Sequence, residues 1–96
     1  MGFRLVEEAE TDLLKIWVNL ALEIGNEPAA DRLTGTLKER FFLLSDYPYL
    51  GRSREDLRPG LRSYPVQDYV ILYQVEDEDV VILHIFPGRM DIPNLL

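Results

Sequence analysis

The stretch that decides the fold is SYPVQDYVILYQVEDEDVVILHIF, residues 63–86. Three short runs in it are rich in Val, Ile and Tyr: Ser63–Val66, Tyr69–Val75 and Val80–Phe86. Such β-branched and aromatic residues favour strands, and the polar groups Gln67-Asp68 and Glu76–Asp79 separate the runs at the spacing of hairpin turns. The stretch therefore predicts three consecutive antiparallel strands, with the acidic EDED run as a solvated hairpin tip.

Two segments before the strands have the periodicity of amphipathic helices. Apolar residues in the first, which starts near Glu7, recur in steps of three and four and form one stripe. The stripe consists of Ala9, Leu13, Ile16, Trp17, Leu20 and Ile24. Gly25 then suits a left-handed helix cap. The second helix is predicted from Pro28 to about Ser45, and its stripe consists of Ala30, Leu33, Leu37, Phe41 and Leu44. A short connection predicts an antiparallel helical hairpin.

These elements predict an α+β fold in a single domain that spans residues 1–96. Phe3–Val6 adds a strand at an edge, and the helical hairpin packs on one face of a small antiparallel sheet. Strand 69–75 is apolar on both sides, because Tyr69, Ile71 and Tyr73 alternate with Val70 and Leu72. A sheet covered on only one face normally alternates apolar with polar residues, so a second covering layer is expected. A partner protein is the simplest source of that layer.

Composition narrows the class of function. The chain has no cysteine, which favours a reducing compartment, and its longest purely apolar run, Val80–Leu83, is far too short for a membrane helix. We expect a cytoplasmic protein that contacts no membrane. A net charge of −7 disfavours free nucleic acid as a general partner, because lysine and arginine supply most of that affinity. One histidine without cysteine cannot form the usual ligand sets, so we predict no metal site and no cofactor.

A cationic segment interrupts this acidic chain. Arg52, Arg54, Arg58 and Arg62 lie within eleven positions, which carry +2 while the remaining 85 residues carry −9. Planar guanidinium groups suit bidentate capture of carboxylates or phosphates. The competing interpretation is intramolecular: Arg54 pairs with Glu55 or Asp56, and Arg62 with a helix carboxylate. Exposed pairs contribute only about 0–1 kcal/mol, which is a weak reason for the cluster.

A catalytic role would need proton carriers, which are scarce here. His84 is the one histidine, and period-two alternation places it on the same side of the last strand as Val80, Ile82 and Phe86. A histidine on an apolar strand is more often structural than catalytic. The five tyrosines could also carry protons, but Tyr64, Tyr69 and Tyr73 are more simply strand residues with an amphipathic side chain. Arginine is too weakly acidic to transfer protons near neutral pH. If the chain were nevertheless a ribonuclease, His84, Arg62 and Arg89 would form the catalytic set. The residues favour a binding protein over an enzyme.

Together with this order of elements, four motifs resemble the ParE-type toxins of the RelE/ParE superfamily, found in bacterial type II toxin–antitoxin modules. They are P-x-L-G-R from Pro48, L-R-P-G-L-R-S from Leu57, Y-V-I-L-Y from Tyr69 and G-R-x-D-I from Gly88. The resemblance covers nearly the whole chain. It implies a toxin neutralised by a small antitoxin in a hetero-oligomer, and a role in plasmid stabilisation.

The resemblance also implies a target. ParE-like toxins poison DNA gyrase by protein–protein binding, whereas RelE-like toxins cleave messenger RNA on the ribosome, and fold alone does not choose between them. An attenuated homologue that binds only its antitoxin is a third alternative. We expect the four clustered arginines and Arg89 to contact the target. The residues expected to contribute to the core or to the antitoxin groove are Ala30, Leu33, Leu37, Tyr69, Ile71 and Tyr73.

Overall fold

A computed structural model describes residues 2–90 of the chain. Its elements in chain order are β1 (Phe3–Leu5), α1 (Glu7–Val18), a π-helical turn (Asn19–Glu23), α2 (Glu27–Asp46), β2 (Arg52–Ser53), β3 (Leu61–Val66), β4 (Tyr69–Glu76) and β5 (Asp79–Pro87). The predicted order of strand, two helices and three strands is confirmed, with α1 and α2 packed on one face of the sheet. No helix within residues 2–90 is both long and apolar enough to cross a membrane.

The sheet has five strands in the order β1-β5-β4-β3-β2. The three predicted strands form antiparallel pairs in sequence, and their turns lie at Gln67-Asp68 and Asp77-Glu78 as expected. β1 lies at an edge, but it runs parallel to β5, with Phe3 opposite Val80. The sequence analysis did not predict β2, which pairs with β3 at the start of the arginine segment. Two residues give too short a pattern to detect.

The connection between the helices is a compact capped turn. Gly25 takes the left-handed conformation at φ +83°, as predicted, and the Asn26 amide donates to the Leu20 carbonyl at 2.8 Å. The Asn26 side chain then accepts a hydrogen bond from the Ala29 amide at 3.0 Å and caps α2. Trp17 Nε1 donates to Asp31 Oδ1 at 2.8 Å, which ties α1 to α2. These contacts close the helical hairpin.

One residue of the predicted apolar stripe is misplaced. Ile24 is 64% exposed, while Ala21 is buried in its stead. The cause is the π-helical turn, which adds a residue to one turn and shifts the facing positions after Val18. A strict 3.6-residue period cannot anticipate such an insertion.

The main core lies between the helices and the sheet. It includes Leu33, Leu37 and Phe41 of α2 packed against Ile71 and Tyr73 of β4. Four residues expected in the core or the antitoxin groove are completely buried, with no exposed area for a partner: Ala30, Leu37, Ile71 and Tyr73. They are core residues.

The sequence analysis expected a partner protein to cover the second face of the sheet. For the centre of that face, this expectation is wrong. Leu61, Leu72 and Phe86 form a second buried cluster, and Leu57 and Val70 pack against it. Leu57 belongs to the arginine segment, which folds back over the sheet. The chain therefore supplies part of the second layer itself, through a loop that the strand pattern did not include.

The predicted grouping on β5 is also wrong. Leu72 pairs with His84, but Tyr73 pairs with Ile82, so Leu83 is an extra residue that forms a bulge. Val80 and Ile82 therefore belong to the helix-facing core and Phe86 to the opposite cluster. The period-two reading placed all three on one side because it assumed an unbroken strand.

Candidate functional site

The arginine segment (residues 52–62) consists of β2, the first two residues of β3 and a closed loop between them. The Arg54 amide donates to the Leu61 carbonyl at 2.7 Å, and the Leu61 amide donates to the Arg58 carbonyl at 3.2 Å. Pro59-Gly60 makes the predicted turn, since Gly60 has φ +78° and its amide donates to Glu55 Oε2 at 2.9 Å. The loop therefore presents its side chains from a fixed backbone.

Arg54 is used inside the loop. Its Nε and Nη2 donate to the two carboxylate oxygens of Asp56, each at 3.2 Å. This fork-shaped pair confirms the intramolecular alternative for Arg54. The hydrogen bonds from Arg54 lower the pKa of Asp56 below its usual value. Arg54 is thus partly neutralised before any target arrives.

Arg62 is also held by the chain, although not as predicted. Its Nη1 donates to the Gly51 carbonyl at 2.5 Å and to the Tyr49 carbonyl at 3.4 Å. Its guanidinium carbon lies 5.0 Å from the centre of the Tyr49 ring, within the range of a cation–π contact. The predicted pairing with a helix carboxylate is wrong. Arg62 lies in β3 beside the backbone of residues 49–51, and the carbonyl oxygens there accept its hydrogen bonds.

Tyr73 fixes the chain that leads into the arginine segment. Its hydroxyl donates to the Pro48 carbonyl at 2.8 Å and accepts from the Gly51 amide at 2.8 Å. The side chain is fully buried, and this desolvation raises the pKa of Tyr73 above the usual tyrosine value. An alanine Cβ at position 51 would lie 2.5 Å from that hydroxyl oxygen, so only glycine fits this approach.

Two arginines of the segment stay available. Arg52 and Arg58 are exposed, and within residues 2–90 neither side chain makes a hydrogen bond or an ion pair. Arg52 lies in β2, and Arg58 lies in the loop that Gly60 closes. Of the four clustered arginines, these two are equipped to meet an external carboxylate or phosphate.

Arg89 lies at the other end of the sheet. It follows Pro87, which pairs with Tyr69, whereas the arginine segment enters β3 at Leu61. The five steps of β3 from Leu61 to Val66 span about 16 Å. The structure therefore separates Arg89 from the four arginines with which the sequence analysis had grouped it.

A groove of about 980 Å³ surrounds Arg89. Its lining includes Leu33 and Arg32 from α2, Tyr69 from β4 and Leu20 from the π-helical turn. Leu33 and Tyr69 are thus the two predicted antitoxin residues that reach a cavity. The lining of the groove is mostly apolar and carries Arg32 and Arg89 beside Asp68, a net positive charge that suits an amphipathic acidic segment.

His84 is held away from the arginine segment. Its Nδ1 lies 3.2 Å from Asp12 Oδ2, and the same oxygen accepts the Ile85 amide at 3.0 Å. Residues opposite one another share a face, and Arg62 lies opposite Tyr73 while His84 lies opposite Leu72. Arg62 and His84 therefore project from opposite faces. The alternative catalytic set of His84, Arg62 and Arg89 is not assembled in the described residues.

The sequence analysis missed Asp12 and Tyr49. Asp12 lies among the charged residues of an amphipathic helix, and no local signal marks it as the partner of a residue 72 positions away. Tyr49 lies in the turn between Pro48 and Gly51, and no periodic pattern marks it. Its closeness in sequence to the arginines was the one available signal. Within residues 2–90 no cluster of three potential metal ligands occurs. Asp91 and Ile92 of the last motif lie outside the described residues.

A helical hairpin on one face of a five-stranded sheet is also the fold of several solved toxin structures. The chromosomal ParDE system from P. aeruginosa aligns with a TM-score of 0.76 at 21% identity, over 91% of this chain and 95% of that one. The RelBE2 toxin–antitoxin complex from Mycobacterium tuberculosis aligns at 0.65 and 27%, over 90% and 95%. The isolated RelE toxin of E. coli aligns at 0.59 and 17%, over 99% and 98%. The fold is that of the RelE/ParE class.

Sequence comparison gives the family within this class. The model of the ParE toxin of type II toxin–antitoxin systems (parDE) matches residues 3–92. Toxin ParE3 of Caulobacter vibrioides is 41% identical over 81 residues, which cover 84% of this chain and 80% of that protein. Toxin ParE1 of the same organism is 31% identical over 84 residues, or 85% and 86% of the two chains. The chain belongs to the ParE toxin family of type II toxin–antitoxin systems.

Proposed function

We propose that this ParE-family toxin inhibits DNA gyrase by protein–protein binding and is neutralised by a cognate antitoxin. The observation that carries the proposal is the pair Arg52 and Arg58, which are exposed and make no side-chain hydrogen bond or ion pair within residues 2–90. They offer fixed positive charge on an otherwise acidic molecule, which favours capture of an acidic protein surface. Such a module would act in the cytoplasm and would stabilise a plasmid that carries it.

The positions of His84 and Tyr73 within the described residues support binding over catalysis. Cleavage of RNA needs a general base and a general acid within reach of the phosphate. His84 contacts Asp12 and, although the register places Arg52 on the same face, the two residues are separated by three strand spacings, about 14 Å. The Tyr73 hydroxyl is buried and hydrogen-bonded to the backbone. Arginine alone stabilises charge but transfers no proton near neutral pH.

The groove beside Arg89 is the proposed antitoxin site. Leu33 and Tyr69 give it an apolar floor, and Arg32 and Arg89 give it positive charge. The similar P. aeruginosa and M. tuberculosis structures are a toxin–antitoxin system and a toxin–antitoxin complex. We infer a hetero-oligomer in which an amphipathic antitoxin segment occupies this groove.

A supercoiling assay with purified gyrase tests the inhibition. The wild-type toxin should inhibit supercoiling, and the double variant Arg52→Glu/Arg58→Glu should lose at least about tenfold in potency. Lys38→Glu/Arg40→Glu makes the same change in net charge on α2 and is the matched control, expected to keep wild-type potency. Loss of potency in both variants would indicate a non-specific charge effect and would count against the arginine segment.

Ribosome-bound messenger RNA tests the alternative endonuclease, which shares the fold of RelE. Cleavage by the wild type that disappears in His84→Ala or in Tyr→Phe variants would favour a RelE-like enzyme. Growth after induction, with and without the neighbouring short reading frame, tests neutralisation. If expression harms no cell and neither biochemical assay responds, the chain is an attenuated homologue.

A further inference from the structure

A cluster of exposed apolar side chains lies directly before the arginine segment. Tyr47 is 63% exposed, Tyr49 is 70% exposed and Leu50 is 50% exposed. These residues form the turn that connects α2 to β2, which we term the YPYL turn (Tyr47–Leu50). Large apolar side chains so exposed and so close in sequence often mark a contact surface.

The YPYL turn is unusually well fixed for a surface loop. The Leu50 amide donates to the Tyr47 carbonyl at 3.0 Å, and the Tyr73 hydroxyl donates to the Pro48 carbonyl at 2.8 Å. Arg62 bonds to the Tyr49 carbonyl and lies over its ring. Binding through such a turn loses little conformational entropy, because its backbone is already ordered.

The YPYL turn and the arginine segment lie next to each other and form one surface. Arg52 follows Leu50 by two residues, and Arg62 joins the turn to β3 by direct contact. Tyrosine and arginine are the residues most enriched at the energetically important centres of protein interfaces. Lysine, which is depleted there, is absent from residues 47–62. The combination indicates an apolar anchor with a cationic margin.

We propose that the YPYL turn is the apolar anchor of the target-binding surface, and that its occupant is an acidic protein surface with an exposed apolar patch. Tyr49 and Leu50 enter that patch, while Arg52 and Arg58 pair with the carboxylates around it. The positive charge of residues 52–62 against −9 elsewhere selects an acidic partner. The inference rests on the proposed function, because it assigns the anchor of the same target interface.

Affinity of purified toxin for immobilised gyrase tests the anchor. Tyr49→Ala/Leu50→Ala should weaken binding by about 30-fold or more, as loss of an interface hot spot does. Tyr49→Phe keeps the ring and should bind within about threefold of wild type. Leu14→Ala/Leu22→Ala removes two apolar side chains that are 62% and 69% exposed on α1 and the π-helical turn, and should bind like wild type. Antitoxin affinity, measured for every variant, should be unchanged. Melting temperature should fall only in Tyr49→Ala/Leu50→Ala, by the few degrees that loss of the exposed cation–π contact with Arg62 costs.

The outcomes separate the two proposals. Wild-type toxin that neither binds nor inhibits gyrase overturns the proposed function, and the anchor with it. Wild-type inhibition that survives unchanged in Tyr49→Ala/Leu50→Ala overturns the anchor alone. Binding of a DNA oligonucleotide that is lost in the same variant also overturns it, because the occupant is then a nucleic acid. A toxin dimer abolished by the variant would assign the turn to a second copy and would equally overturn the inference.

Discussion

Among single residues, the hydroxyl of Tyr73 connects the core to the surface. It lies at the buried end of a core side chain, yet its two hydrogen bonds go to Pro48 and Gly51, which border the YPYL turn. Arg62 then bonds to the Gly51 carbonyl from the other side. One buried tyrosine and one half-buried arginine thus position the backbone before β2.

The space around Gly51 should tolerate no side chain. In Gly51→Ala the new Cβ would meet the Tyr73 hydroxyl oxygen at 2.5 Å and the Ser63 carbonyl oxygen at 2.9 Å. We expect a loss of about 1–3 kcal/mol in the free energy of unfolding, measured by urea denaturation. Gly35→Ala is the control, because nothing lies within 4 Å of its Cβ in α2; it should stabilise by about 0.5–1 kcal/mol. Equal effects of the two variants would contradict the packing at Gly51.

Removing the Tyr73 hydroxyl should destabilise the chain without disturbing the ring. Tyr73→Phe leaves the Gly51 amide unpaired in a buried position, which costs about 1–3 kcal/mol of unfolding free energy. Tyr64→Phe is the matched control, since the Tyr64 hydroxyl makes no hydrogen bond to residues 2–90 and its loss should change stability by less than about 0.5 kcal/mol. If Tyr73→Phe were as stable as the wild type, the Tyr73 hydroxyl would not stabilise the fold.

The same hydroxyl should make stability depend on alkaline pH. Burial raises the pKa of Tyr73 in the folded state, so the unfolded chain loses this proton first. Stability has its full value below pH about 10, the ordinary tyrosine pKa, and falls as the pH rises from there towards the folded-state pKa. Urea midpoints between pH 9 and 11 should therefore fall more steeply for wild type than for Tyr73→Phe. Parallel slopes would contradict the raised pKa.

At the scale of elements, the sequence predicted type and order well because hydrophobic periodicity reports them directly. The helices followed from spacing, the three antiparallel strands from their β-branched and aromatic content with polar groups between them, and the edge strand from a short apolar stretch. The errors arise where a single residue is inserted: the π-helical turn moves Ile24 to the surface, and the bulge at Leu83 separates Phe86 from Val80. A period cannot reveal its own interruption, because one extra residue leaves the composition of the segment unchanged.

The contact between α1 and β5 depends on one carboxylate. β1 ends opposite Ile82, so within residues 2–90 the β5 edge beyond it pairs with no strand. There Asp12 accepts the Ile85 amide and contacts His84. Asp12→Ala should cost about 1–3 kcal/mol of unfolding free energy, because both groups lose their partner. Glu39→Ala is the control: this exposed carboxylate lies 4.0 Å from Arg40 and should contribute less than about 0.5 kcal/mol. If Asp12→Ala lost no more unfolding free energy than Glu39→Ala, Asp12 would not anchor this edge of the sheet.

For the whole molecule, the candidate site was harder to predict than the fold. The sequence indicated the cationic segment, but it did not show that Arg54 and Arg62 are bonded within the chain while Arg52 and Arg58 remain open to a target. Those contacts join positions brought together only by the folded sheet. Arg89 was grouped with the cluster by charge, and the strand register puts it at the opposite end. Charge is readable from sequence, whereas its distribution over a surface requires the tertiary structure.

This separation predicts that the two ends of the sheet act independently. Thr36 lines the groove at Arg89, whereas Arg52 lies on the edge strand opposite Ser63, about 10 Å along the strands from Val66, and Arg58 precedes β3. Sites that far apart, with no shared partner, contribute additively. Thr36→Glu, which places a negative charge in the groove, should weaken antitoxin affinity at least about tenfold while gyrase inhibition stays within about twofold, and Arg52→Glu/Arg58→Glu should do the reverse. The triple variant should show both losses at their single-site magnitudes. Reduced antitoxin affinity in Arg52→Glu/Arg58→Glu would mean that the antitoxin also covers the arginine segment, and neutralisation would then act by occluding the target site.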